Sequence, residues 1–347
     1  MQIRLGATLV SASLGGAALL LVYVMTFSNM FLITYDRADA QIGAAATSTQ
    51  DVPPKPIIPP LDTVAYDLKM MQLAHRSATT TASNAATSTG STGSTTLTTS
   101  SSPQAPVKKY LWPVKTVYPN SGALLPFNRI VAYYGNFYSK GMGVLGQYPE
   151  DVMLLKLKAA TLEWQLADLS TSVIPAIDYI AVTAQASPVD GTYRARMPDS
   201  QIDKALALAD QVHGIVILDV QVGLSTVQKE IPLLEKYLKL PNVHLALDPE
   251  FSMKGTRPPG REIGTMGPAD INYAAEYLAK IVRDNNLQPK ILVIHRFTEE
   301  MVTGYKQIKP LPEVQIVMDM DGWGFGAKKI NTYQRVIYPE PIQFTGF

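Results

Sequence analysis

Several short runs in this chain share one form, a string of β-branched or aliphatic residues ending in side chains that carry charge or exchange protons. They include ILDVQVG (217–223), LALDPEF (245–251), VIHRF (293–297) and VMDMDG (317–322). In an extended chain residues i and i+2 share a face. Asp219 and Gln221 therefore point the same way, as do Asp248 and Glu250, and Asp319 and Asp321; Asp178 and His295 hold equivalent places on their own runs. Carboxylates gathered around one groove suit the chemistry of glycosidic bonds, in which one carboxylic acid protonates the leaving oxygen while a second acts as nucleophile or base. Glu250 is the expected acid/base, because Asp248 beside it raises its pKa: two neighbouring carboxylates resist ionising together. Asp319 or Asp321 is the expected partner. Asp178, Asp219, Gln221 and His295 then contact or orient substrate, with Tyr133, Trp323 and Arg257 as further contacts. Any one such Asp also suits a turn or helix cap.

Those side chains need a scaffold that brings strand ends together. From Arg129 onward short apolar runs alternate with helical patterns, the mark of a parallel sheet with crossover helices. Strands are expected at 129–135, 172–182, 214–223, 243–251, 290–297, 314–322 and 341–347, with helices near 150–167, 199–212, 225–239, 269–286 and 299–308. Ala176, Ile217, Ala246, Val293 and Val317 share the face of the polar residues, whereas Leu218, Leu245, Leu247 and Met318 face the helices. Polar side chains converging at the C-terminal ends of successive parallel strands describe the mouth of a (β/α) TIM-type barrel. An open sheet would gather them only at a switch point. The fold class expected is thus α/β, a barrel over 108–347 that either stops short at its C-terminus or takes a further strand from 109–119.

The preceding residues cannot build a core. Leu5 to Tyr35 carries no charge and is long enough to cross a bilayer, so residues 1–36 are expected to be an N-terminal transmembrane anchor; the rival reading is a signal peptide with Ala38-Asp39-Ala40 as its cleavage site, but the apolar stretch is longer than a usual signal-peptide core. Residues 37–107, rich in Ser, Thr, Ala and Pro, are expected to be a flexible stalk. Within it Asp62 to Ser77 reads as a local helix with Val64, Leu68, Met71 and Leu73 on one face. Arg4 before the span places the N-terminus in the cytoplasm by the positive-inside tendency. The expected location is the cell membrane, single-pass, with the C-terminal domain extracytoplasmic.

Composition narrows the function classes. With 30 basic and 29 acidic residues and no basic run, the chain lacks the footprint of nucleic-acid binding. With no cysteine, it has neither thiolate metal sites nor a Cys nucleophile. His295, Asp219, Asp248 and Asp319 form an alternative, metal-dependent hydrolytic set, but His213 and His244 read as structural and the supply of histidine is thin; no metal and no cofactor is assigned. Gly141, Gly143 and Gly146 match a dinucleotide fingerprint out of context, separated from the first strand by a loop.

The runs ILDVQVG, LALDPEFSM, VIHRFTEEM and VMDMDGWG resemble those of uncharacterised bacterial exported or surface proteins with a glycoside-hydrolase-like TIM barrel, over most of 129–347. A looser similarity is to muramidase and chitinase-type barrels, through Asp248-Pro249-Glu250. The chitinase-type signature has a Glu after its paired aspartates, where this chain has Asp319, Asp321 and then Gly322. The resemblance implies a membrane-anchored protein acting on an envelope or extracellular polysaccharide. The alternative from another class is a non-catalytic glycan-binding or scaffolding module on the same fold.

Overall fold

The computed structural model describes residues 59–75, 111–322 and 324–347. The anchor expected at 1–36, most of the stalk expected at 37–107, and Trp323 lie outside the described residues. Among the described residues no helix is long and apolar enough to cross a membrane.

The chain enters with helix α1 (Thr63–Leu73), capped by Asp62, whose carboxylate accepts from the Ala65 amide. Strand β1 (Asn128–Gly135) follows, then helix α2 (Glu150–Ala167), β2 (Ser172–Ala184), a short β3 (Arg194–Arg196) and α3 (Asp199–Asp210). Next come β4 (Ile215–Val220), the short helices α4 (Val227–Glu230) and α5 (Glu235–Leu238), and β5 (Val243–Leu247). Helix α6 (Pro268–Asn285), β6 (Lys290–His295), β7 (Val314–Asp319), α7 (Gly326–Thr332) and β8 (Phe344–Gly346) complete the fold.

The sheet runs β1-β2-β4-β5-β6-β7-β8, every neighbour parallel, and β3 pairs antiparallel with β2 outside that path. Sequential parallel order with helical crossovers curls the sheet into a (β/α) barrel, and it is incomplete because β1 and β8 are not paired with each other. The seven expected strands are those of the parallel path. Residues 111–119, described without any strand, do not supply the extra one.

The register divides the side chains as the alternation predicts. Ala176, Ile215, Ile217, Ala246, Ile291 and Val293 form one buried cluster on the inner face, with Ile130, Ile174 and Val317 against it. Leu218, Leu245, Leu247 and Met318 belong to the larger core between sheet and helices. In a buried two-faced sheet both faces are apolar, and the polar exceptions on the inner face stand out.

Helix α1 is not a free helix in a linker. Val64 and Leu68 are exposed, and the buried face is Tyr66, Lys69 and Met70, packed with Phe127 and Phe344 where the ends of β1 and β8 fail to meet. Lys69 reaches the buried face because its ammonium donates to Thr171 Oγ1 at 2.7 Å and to the Ser170 carbonyl at 2.9 Å. Helix α1 therefore belongs to the same compact unit as the barrel strands.

Two expected helices are broken. Pro232 divides 225–239 into α4, a 3₁₀ turn and α5. The stretch 299–308 holds only 3₁₀ turns, interrupted by Gly304 at φ +60. Helix α7, not expected, continues into a π turn over Tyr333–Ile337.

Candidate functional site

Every parallel strand from β2 to β7 carries an inward polar residue at or just past its C-terminal end. Register pairs His295 with Asp319, and the alternation through β4 and β5 puts Asp219, Gln221 and Asp248 on the same face. Asp178 pairs with Ile217 and so also faces inward. Asp219 is fully buried, and Asp178, Gln221, Asp248 and His295 are each at most 4% exposed. The side chains of Asp319 and Asp321 are 24% and 28% exposed, and Glu250 is partly buried. The arrangement is a funnel, with a buried polar floor and a rim of Glu250, Asp319 and Asp321.

Hydrogen bonds tie the floor together. The Tyr134 hydroxyl donates to Asp219 Oδ2 at 3.1 Å and accepts from Gln221 Nε2 at 2.9 Å. Gln221 Nε2 also lies 3.4 Å from Asp248 Oδ2, and Gln221 Oε1 accepts from the Ala184 amide. Asp248 Oδ1 accepts from the Glu250 amide at 3.0 Å, capping the 3₁₀ turn that carries Glu250. His295 stands centrally: Nδ1 is 3.4 Å from Asp319 Oδ2 and 3.6 Å from Asp321 Oδ2, Nε2 is 4.0 Å from Asp178 Oδ2, and its ring stacks edge-on against Tyr134. Neither imidazole nitrogen makes a hydrogen bond of good geometry, and Asp178 Oδ1 and Asp219 Oδ1 are likewise buried without partners.

Burial dominates the electrostatics. It raises the Asp219 carboxyl to about 6, against the pull of His295. Asp178 is pushed well above the carboxylate range by burial, although His295 opposes this. Burial also pushes Asp248 well above that range, with Asp219 adding to it. Glu250 is raised by partial burial and then by Asp321, and Asp321 is raised by its own burial. Burial disfavours the charged His295 imidazole, yet Asp319 foremost and then Asp321, Asp219 and Asp178 raise it well above its ordinary value. Partial burial raises Tyr134 as well, and Asp219, which accepts from its hydroxyl, adds to it.

Two features shape the rim. Gly346 is required on β8 because a Cβ there would lie 2.0 Å from Asp319 Oδ1. A bulge between Ile180 and Val182 resets the alternation of β2, so that Thr183 takes the inward place beside Gln221; its buried hydroxyl also lacks a partner. On the outer side Arg194 and Arg196 of β3 clamp the fully buried Glu230 of α4 at 2.8 and 2.7 Å.

The structure brings together Asp178, Asp219, Gln221, Asp248, Glu250, His295, Asp319 and Asp321. It does not bring in Tyr133, which packs on the helix-facing core; the tyrosine in the mouth is Tyr134, one residue on. The pairing of Tyr134 with Asp178 is the signal that identifies it. Arg257 sits exposed in the loop after β5, 3.6 Å from Glu262. His244 is also inward, but near the bottom of β5, where burial lowers it to about 3 and Nδ1 accepts from the Ile291 amide. Gly143 serves a close backbone approach, since a Cβ would meet the Tyr134 carbonyl oxygen at 2.3 Å. A separate hollow of about 480 Å³ lies outside the barrel among Phe137, Tyr148 and Lys204. Among the described residues no group of three or more His, Asp or Glu side chains is arranged to hold a metal ion.

No family model matches the chain. No curated protein matches it either. Among solved structures it has a distant likeness to a GH5-4 broad specificity endoglucanase from Clostridum cellulovorans, at 9% identity and a TM-score of 0.32, over 56% of this chain and 60% of that one. The chain therefore spans less than two thirds of the structure it matches.

Proposed function

We propose that the chain is a glycoside hydrolase acting on an envelope or extracellular polysaccharide, held at the membrane by its N-terminal apolar run with the barrel on the extracytoplasmic side. The observation that carries the reading is the pair of partly accessible carboxyls, Glu250 and Asp321, which face one mouth, Asp321 adding to the cost of ionising Glu250. Glu250 is the general acid: burial and Asp321 keep its proton on to higher pH, the state that protonates a leaving oxygen. Asp321, or Asp319 beside it, is the carboxylate that attacks or activates water. His295 stands within 3.6 Å of both and stabilises whichever is ionised. Asp248 positions Glu250 through the backbone, and Tyr134, Asp219 and Gln221 fix the floor on which a sugar rests. Retention of configuration requires carboxyls ~5–5.5 Å apart and inversion ~6.5–9.5 Å, so product stereochemistry reports the working separation. The test is hydrolysis of a polysaccharide panel by wild type and Glu250→Gln, with fold checked by circular dichroism. Loss of activity in the variant supports the assignment; full activity in the variant removes Glu250 from it.

A further inference from the structure

The mouth is short of positive charge. Asp178, Asp219, Asp248, Asp319 and Asp321 converge on a single imidazole, His295, and Glu250 stands on the rim beside Asp321. Lys329 acts on Asp321 from the edge as a further cation. Below the carboxylates the inner face carries Ala176, Ile217, Ala246 and Val293, and burial keeps the inward His244 beneath them neutral, so among the described inner-face residues there no cation compensates. The deficit also shows in unpaired atoms: Asp178 Oδ1 and Asp219 Oδ1 are inward, buried and without partners, although each belongs to a residue at most 4% exposed. Native proteins rarely leave buried acceptors in this state unless a ligand, ion or water completes them. A metal ion is the first candidate for so many carboxylates, yet no group is arranged to hold one among the described residues.

We propose that the saccharide unit bound at this mouth carries a free amino group, a de-N-acetylated amino sugar whose ammonium sits against Glu250, Asp319 and Asp321. This rests on the glycan reading above and names the class of glycan. The rim carboxylates are the accessible ones and meet the ammonium directly. Of the buried ones beneath them, Asp219, raised to about 6, is ionised at neutral pH and adds a field that a funnel with low-dielectric walls focuses outward. A neutral or N-acetylated sugar exchanges hydrogen bonds with water for hydrogen bonds with the rim and leaves the charge deficit in place. An ammonium restores ionisation to carboxyls that burial otherwise keeps protonated, so its binding strengthens as pH rises toward neutrality, up to the point where the amine itself loses its proton.

The experiment uses the full chain in detergent micelles and three probes by calorimetry: β-1,4-linked hexamers of glucosamine, N-acetylglucosamine and glucose. Spermidine serves as a sugar-free cation. The glucosamine hexamer binds at least tenfold more tightly than the other hexamers, and Asp321→Asn, with its fold verified, brings that ratio below about threefold. Equal or weaker binding of the glucosamine hexamer, with either other hexamer bound, overturns the amino-sugar inference and leaves the glycan reading standing. Spermidine competing as well as the glucosamine hexamer overturns the sugar part of the inference. Failure of all three hexamers to bind overturns the inference and the glycan reading together.

Discussion

Replacing Asp219 by Asn should stabilise the protein at neutral pH and not at acid pH. Asp219 is fully buried, and its folded-state carboxyl is raised from 3.8 to about 6. Below about pH 4 the group is protonated in both folded and unfolded chains and contributes no pH-dependent difference. Between about pH 4 and pH 6 the unfolded chain releases this proton while the folded chain retains it, so stability falls as pH rises; above about pH 6 the full penalty is present. At 1.36 kcal/mol per unit, a shift of about two units corresponds to ~3 kcal/mol. Asn keeps the shape and an oxygen that accepts from Tyr134, and it removes the ionisation. Part of the gain is offset because His295 loses Asp219, one of the anions that raise it and so favour its charged form in the folded state. Urea unfolding of wild type and variant at pH 4 and pH 7 should give a difference near zero at the lower pH and a gain of up to ~3 kcal/mol at the higher. A difference independent of pH, or a loss of stability at pH 7, would refute the argument that Asp219 is ionised against burial. His295 works with the opposite sign: its raised folded-state pKa adds stability that is fully present below about pH 6.5 and is lost as pH rises through the folded value.

Other expected outcomes follow from the packing. Glu230→Ala leaves Arg194 without its buried partner and should cost about 3–5 kcal/mol in denaturant unfolding, out of proportion to an exposed ion pair. Tyr66→Ala should lower stability by ~3 kcal/mol on the same assay, because α1 is part of the barrel; an unchanged midpoint would mean that α1 is a linker helix. Gly346→Ala drives a methyl group onto Asp319 Oδ1 and turns that carboxylate away from His295. His295 should then titrate at lower pH by NMR, and hydrolysis should fall at least tenfold while the far-UV spectrum is retained.

Much of the site is legible in the sequence through the alternation of side chains. Once Asp219, Asp248, His295 and Asp319 end successive strands, a period of two puts them and Ala176, Ile217, Ala246 and Val293 on one face, as the register shows. The sequence does not distinguish Tyr133 from Tyr134, because β1 offers adjacent aromatics and only pairing with β2 reveals which is opposite Asp178. Thr183 is hidden for a similar reason, since a bulge resets the alternation without a Gly or Pro to announce it. Helix α1 reads as part of a linker because its buried face contains Lys69, a residue that hydropathy places in water. What holds Lys69 there, the Ser170 carbonyl and the Thr171 hydroxyl, lies about a hundred residues away. The broken helices before β5 and β7 trace to Pro232 and Gly304, local breakers inside otherwise helical patterns.

The most direct test of the central claim is the release of new reducing ends from purified envelope and extracellular polysaccharides by the full-length protein, comparing wild type with Glu250→Gln at equal folded concentration. The account predicts release by wild type, insensitive to chelator, and a drop of about two orders of magnitude or more in the variant, consistent with removal of a general acid. Equal release by both proteins, or no release by a folded wild type that still binds glycan, would contradict it, and the second result would make the barrel a binding module.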